Sequence, residues 1–146
     1  GLVGAAGNSA IFNTPEAILD FLPMSGTPGS LDRDLQDPNS STSAGIFGGH
    51  VLALQLDVDF ADAGRLPGTM ALRFGDVRGC ALADTSALSG LTVRELLAAL
   101  NQALGGGPAA YAYEQLGNLV RDLSQSFQGG IPSQWAQDHL VDGACP

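Results

Sequence analysis

The chain has no lysine, one tryptophan and only two cysteines among its 146 residues. Each shortage removes a class of function. With no lysine, and a combined six basic side chains against fifteen acids, the chain lacks the charge to hold a nucleic-acid backbone or an anionic membrane. The net charge of −9 leaves small cations, basic proteins and glycans as partners. The missing lysine fits a GC-rich coding sequence, and it also makes a surface poor in amines and in trypsin-like cleavage points. No apolar run approaches the roughly 18 residues that a membrane-spanning helix needs, so no membrane insertion is expected.

Two cysteines alone cannot close a zinc site, and His50 and His139 lack the paired spacing of metal-binding histidines. The simplest reading is one disulfide between Cys80 and Cys145, with two separate buried thiols as the alternative. A disulfide would tie the C-terminal tail to the middle of the chain and place the protein in an oxidising, extracellular setting. Beginning at Gly1 rather than at methionine, the chain reads as a mature product whose secretion signal has been removed.

What is present is aliphatic and helical. A chain of this length can bury roughly 70% of its unfolded surface, enough for one core. Thr92-Val-Arg-Glu95 is a capping box, and Val93, Leu96, Leu97, Leu100 and Leu104 follow it at helical spacing until Gly105, Gly106 and Gly107. A second helix is expected over 111–128, with Tyr113, Leu116, Leu119, Val120, Leu123 and Phe127 on one face. The short link between these two predicts an antiparallel helix hairpin as the core. Thr14 and Pro15 start a short helix whose apolar face is Ile18, Leu19, Phe21 and Leu22, and Pro23 ends it. Ser133 caps a last helix over 134–141, with Trp135 and Leu140 packing inward.

The segment 44–60 satisfies two patterns at once. Ile46, Phe47, Val51, Leu54 and Val58 make a helical stripe, while Leu54, Leu56, Val58 and Phe60 alternate as in a strand; its length favours a helix. Two short strands are expected at 10–13 and 70–74, paired with each other. The fold class is therefore mainly α, a small helical domain with a hairpin core, one short β-hairpin and a single disulfide. Residues 8–146 form one globular domain, preceded by a flexible or partner-bound head at 1–7. The stretch 24–43 is a long polar loop without periodicity, of a length usually functional or disordered.

Catalytic patterns are missing. There is no Gly-x-Ser-x-Gly elbow, and the glycines at 105–107 follow a helix where a phosphate loop would precede one. Both histidines read as structural. The acids hold the one metal possibility: Asp57, Asp59 and Asp62 resemble part of a calcium loop, though without the closing bidentate glutamate of an EF-hand. Asp32, Asp34 and Asp37 form a second cluster. Solvated faces or turn caps are the competing reading of both. No other cofactor is expected.

Several blocks occur in a distinctive order: Phe21-Leu-Pro-Met-Ser-Gly-Thr-Pro-Gly-Ser-Leu31, Ala44-Gly-Ile-Phe-Gly-Gly-His-Val-Leu-Ala-Leu-Gln-Leu-Asp-Val-Asp-Phe60, Leu91-Thr-Val-Arg-Glu-Leu-Leu97 and Asn101-Gln-Ala-Leu-Gly-Gly-Gly107. Together they resemble an uncharacterised module found in large secreted and surface-anchored bacterial proteins. The resemblance implies a structural or interaction role outside the cell, and no catalytic residue. The expected function is thus a non-enzymatic module, the subunit of a surface assembly or fibre. Its partners would be copies of itself or other surface proteins. Gly1, Leu2, Val3 and Gly4 are the candidate assembly residues, packing on a neighbour or adding to it as a strand. Removing residues 1–7 is expected to spare the fold. The alternative is a monomeric calcium- or glycan-binding module using the 24–43 loop and nearby aspartates.

Overall fold

The computed structural model describes residues 1–67 and 71–146, and the protein is mainly helical. The chain opens with strands β1 (Leu2–Ala5) and β2 (Asn8–Ile11), then helix α1 (Pro15–Phe21), strand β3 (Leu35–Gln36) and the long helix α2 (Ile46–Asp62). After a 3-10 segment at Ala71–Asp76 come β4 (Arg78–Gly79), a second 3-10 segment at Ala83–Leu88, α3 (Val93–Leu104) and α4 (Tyr113–Ser124). A short 3-10 turn at Gln128–Gly130, α5 (Gln134–His139) and β5 (Leu140–Val141) complete it.

Helix α2 is the centre. Phe47, Val51, Leu52, Leu54 and Val58 are all buried, which covers more than one face of the helix. A helix apolar on most sides belongs inside a domain rather than on its surface. Each of those side chains contributes roughly 1.5–3 kcal/mol by leaving water. Helices α3 and α4 adjoin as a short link requires, and Tyr113 of α4 donates its hydroxyl to the Ala103 carbonyl of α3 at 2.8 Å. Each nevertheless packs more extensively on α2 than on the other. The expected hairpin is thus two sides of a three-helix core, with the ambiguous segment as its middle.

The capping box of α3 is in place. Thr92 Oγ1 accepts from the Glu95 amide at 3.2 Å, and Glu95 Oε1 accepts from the Thr92 amide at 3.0 Å. Thr14 caps α1 by accepting from the Ala17 amide, and Ser133 caps α5 from the Ala136 amide. Two helices are shorter than their apolar spacing suggests. Helix α4 stops at Ser124, and α5 stops at His139 because Leu140 and Val141 leave to pair with Gly79 and Arg78. Leu19, expected on the inner face of α1, is 74% exposed, while Phe21 is buried against Phe12 with ring centroids 5.0 Å apart.

The expected strand pair is corrected. Of the segment 70–74, Met70 lies outside the described residues, and Ala71 onward is 3-10 helix. The first strand instead pairs antiparallel with β1, Val3 opposite Ala10, and parallel with β3, Ala10 opposite Leu35. The head at 1–7 is therefore no loose appendage. Val3 and Ala10 are both buried in the core. Gly105, at the end of α3, lies so close to β1 that a side chain there would run into Ala5. Removing 1–7 would strip a strand and a core residue, so that deletion should destabilise the fold rather than spare it.

The loop 24–43 is anchored too. The Leu31 amide donates to the Leu104 carbonyl at 2.7 Å, with the Leu31 side chain buried. At its far end Gly45 has φ +57, and a Cβ there would meet the carbonyls of Thr27 and Gly26. Only glycine accepts both demands, and this lets the Ile46 amide reach the Gly26 carbonyl at 3.0 Å.

Cys80 and Cys145 are joined, 65 residues apart in sequence. The bond fastens the last residues beside β4, where the Cys80 amide also donates to the His139 carbonyl at 2.7 Å. A loop of that length restricts the unfolded chain by about 4 kcal/mol. Replacing both cysteines by serine should lower the melting temperature by about 10 °C. Reducing the wild-type protein should lower it by the same amount, as read by circular dichroism with and without reductant. Equal melting of both forms would show that the bond contributes nothing.

Candidate functional site

Four candidate assembly residues lie together at the edge of the sheet. Phe12 and Gly1 exchange amide-to-carbonyl bonds of 2.7 and 2.8 Å, which makes them a hydrogen-bonded pair of the antiparallel ladder. By alternation, the main-chain groups of Leu2 and Gly4 point to the outer edge. The Gly4 amide is taken there by Asn101 Oδ1 at 2.8 Å. Leu2 and Ile11 are opposite each other, both exposed, on the face away from buried Val3 and Ala10. Val3 is thus a core residue rather than a contact residue, while Leu2 remains at the surface.

The aspartate clusters separate. Asp57, Asp59 and Asp62 are on α2, not on a loop, and about 100° of turn per residue sends Asp57 away from the other two. Asp62 accepts two bonds from the Arg94 guanidinium, at 2.9 and 2.8 Å, and Asp59 accepts from Gln55 at 3.1 Å. That guanidinium holds the Asp62 carboxyl below its usual range. Among the described residues no three acids, histidines or cysteines are placed to hold a metal. Asp34 and Asp37 serve the sheet: Asp34 accepts from the amide and hydroxyl of Ser9, and Asp37 from the amide and side chain of Asn13. Asp32 pairs with its neighbour Arg33.

Asp57 and His50 share the face of α2 that looks towards the end of α4. Asp57 lines a cavity of about 60 Å³ with Phe74, Ser124 and Phe127, and His50 lines an adjoining groove of about 400 Å³. Burial pushes the Asp57 carboxyl up to about 7. Burial and then the Arg121 charge push the His50 imidazole down. Ser124 borders both spaces, so a serine, a histidine and an aspartate lie along two adjoining hollows. They do not form a catalytic triad. Seven residues of helix put His50 and Asp57 about 10 Å apart along the axis. Ser124 gives its hydroxyl proton to the Arg121 carbonyl at 3.0 Å.

A second pocket, of about 160 Å³, lies at the disulfide corner. Its aromatic wall is Trp135, stacked on His139 with centroids 5.0 Å apart. His139 is fixed in turn, because its Nδ1–H donates to the Cys80 carbonyl at 2.9 Å. Polar side chains from elsewhere converge opposite: Asp84 from a 3-10 segment, and Gln115, Asn118 and Asp122 from α4. Trp135 packs against the core as its spacing predicts, and Gln115 and Asn118 stay exposed on α4; what the sequence does not show is that they meet around one pocket. The available signal was the disulfide itself, since joining Cys145 to Cys80 brings the segment after Ser133 beside the residues following Cys80.

No family model, curated protein or solved structure matches this chain. The resemblance of its sequence blocks to a secreted bacterial module therefore rests on those residues alone.

The Asp57 carboxyl yields a pH prediction. Between about pH 4 and 7 the folded chain keeps a proton that the unfolded chain, titrating near 3.8, has lost. Stability therefore falls as pH rises through that window, by up to about 4 kcal/mol. The acids held low by their partners, Asp37 and Asp62 among them, act only below about pH 4 and with the opposite sign. Asp57→Asn should flatten the decline and raise stability at pH 8, measured by urea unfolding at pH 5 and 8. An unchanged decline in the variant would place its source elsewhere.

Proposed function

We infer that this protein is a non-enzymatic extracellular module that assembles with copies of itself or with other surface proteins through its N-terminal hairpin. One observation carries the reading: Leu2 on the edge strand β1 and Ile11 on its neighbour β2 form an exposed apolar pair, 58% and 41% accessible. An edge strand with outward main-chain groups and an apolar flank is suited to receive a strand from another chain. The pair at this position is of the non-hydrogen-bonded kind, in which facing side chains come closest and present one continuous apolar spot. The disulfide supports an oxidising compartment, because such bonds persist outside the reducing cytosol. The resemblance to secreted, surface-anchored proteins points the same way.

In this reading the strand's inner side belongs to the domain and only its outer side is offered to a neighbour. Glutamine, asparagine and arginine side chains elsewhere on the surface need play no catalytic part.

Light scattering on the wild-type chain should show particles larger than one subunit. Raising the salt should enlarge them, because copies carrying a charge of −9 repel one another until screened. Leu2→Asp together with Ile11→Asp should give a monomer that still folds, with a melting temperature lower by a few degrees because the two carboxylates face each other across the ladder. A wild-type chain that stays monomeric at high salt and high concentration would rule out self-assembly.

A further inference from the structure

The geometry points to the Trp135 pocket as a binding site for one ring of an uncharged saccharide. Its size suits one ring rather than a longer chain: the space is about 160 Å³, close to the roughly 150 Å³ of an enclosed cavity that takes benzene, and it opens to solvent on the side where hydroxyls would project. Its chemistry is suitable as well. A pyranose has an apolar C–H face and an equatorial belt of hydroxyls, so it needs a flat aromatic surface and planar polar groups around it. Trp135 supplies the surface, and it is held in orientation by His139, whose own ring is tied to the Cys80 carbonyl. The planar groups are the amides of Gln115 and Asn118 and the carboxylates of Asp84 and Asp122.

These four polar groups are little used within the chain. Gln115 accepts from the Ala112 amide at 3.2 Å through Oε1, which leaves its NH2 to donate outward. Asp122 has one contact, with Arg121 at 3.3 Å. The thioether-free, amide-rich wall offers donors and acceptors in one place, as hydroxyl recognition requires. Charge selects further. Two carboxylates line the pocket and no arginine does, so uronates, sialylated sugars and phosphosugars would be repelled. A quaternary ammonium is the other guest that carboxylates and an aromatic face attract, but such cations are held by cages of several aromatic rings. Here Trp135 stands with a single imidazole, while the amides have no role with a cation.

The site does not depend on the hairpin. It lies at the disulfide corner, built by α4, α5 and the segment after Cys80, so a failure of self-assembly leaves it untouched. It also differs from a glycan site in the 24–43 loop, whose acids are engaged with Ser9, Asn13 and Arg33.

Because Trp135 is the only tryptophan, its intrinsic fluorescence reports on this pocket directly. The probes are maltotriose, cellotriose and fully N-acetylated chitotriose, with trigalacturonate as the anionic counterpart and choline as the cation. The full chain and its Leu2→Asp, Ile11→Asp variant are both titrated. At least one neutral trisaccharide should give a saturable change at up to about 10 mM, the range of a weak single-ring site. Trigalacturonate and choline should give none. Asn118→Ala, an exposed position, should weaken that binding about tenfold by calorimetry without changing the melting temperature. Trp135→Phe should weaken it while keeping the aromatic wall, which guards against a misfolded alanine variant. No saturable response to any neutral sugar overturns the proposal. So does a response to choline or trigalacturonate in place of the neutral sugars, or full affinity in Asn118→Ala and Trp135→Phe.

Discussion

Helix α2 loses water on nearly every side: Phe47, Val51, Leu52, Leu54 and Val58 go inside, while Ile46, Asp59, Phe60 and Asp62 stay exposed. A buried helix must satisfy its neighbours all round, and the rest of the fold is placed by that requirement. Helices α3 and α4 cover two sides, the 3-10 segment at Ala71–Asp76 a third, and β1 closes over the end of α3. Gly48 and Gly49 suit the crowding, since a Cβ on Gly49 would press on Met24 at 2.8 Å. The bidentate Arg94–Asp62 pair then ties the end of α2 to the start of α3 at the surface.

The same burial explains where unusual chemistry arises. Asp57 is drawn partly inside with α2, next to Phe74 and Phe127, and so its carboxyl gives up its proton reluctantly. Groups brought inside for packing can resemble catalytic ones. A serine, a histidine and an aspartate line two adjoining hollows, yet the helix spacing holds His50 and Asp57 too far apart to pass a proton. The features suited to interaction lie instead where the core ends: the outer edge of the hairpin, and the corner fastened by Cys80 and Cys145.

Much of this fold was legible in the residues. The caps at Thr14, Thr92 and Ser133 work through bonds spanning three residues, so local sequence suffices to locate them. The stripe on α4 was legible for the same reason. The weaker readings all concern residues whose partner is distant. The strand at β2 could be seen, but its neighbours could not, because β-pairing joins segments with no local signal of register. Leu19 matched the apolar spacing of α1, yet nothing packs over it. The acids at 32, 34 and 37 looked like a possible cation site until the sheet brought Ser9 and Asn13 to two of them.

The sequence by itself determined the helical class, the helix starts, the disulfide as the simplest pairing and the net charge of −9. These depend on composition or on neighbours within a turn. The length of the segment 44–60 favoured a helix, and only the tertiary structure decided that this helix is the centre of the core, because what packs on each of its sides comes from distant parts of the chain. It alone turned residues 1–5 from a loose head into a strand, and separated Asp57 from Asp59 and Asp62. It alone set Asp84, Gln115 and Asn118 around Trp135, because a pocket is made by side chains that meet across long stretches of chain, and no periodicity records that meeting.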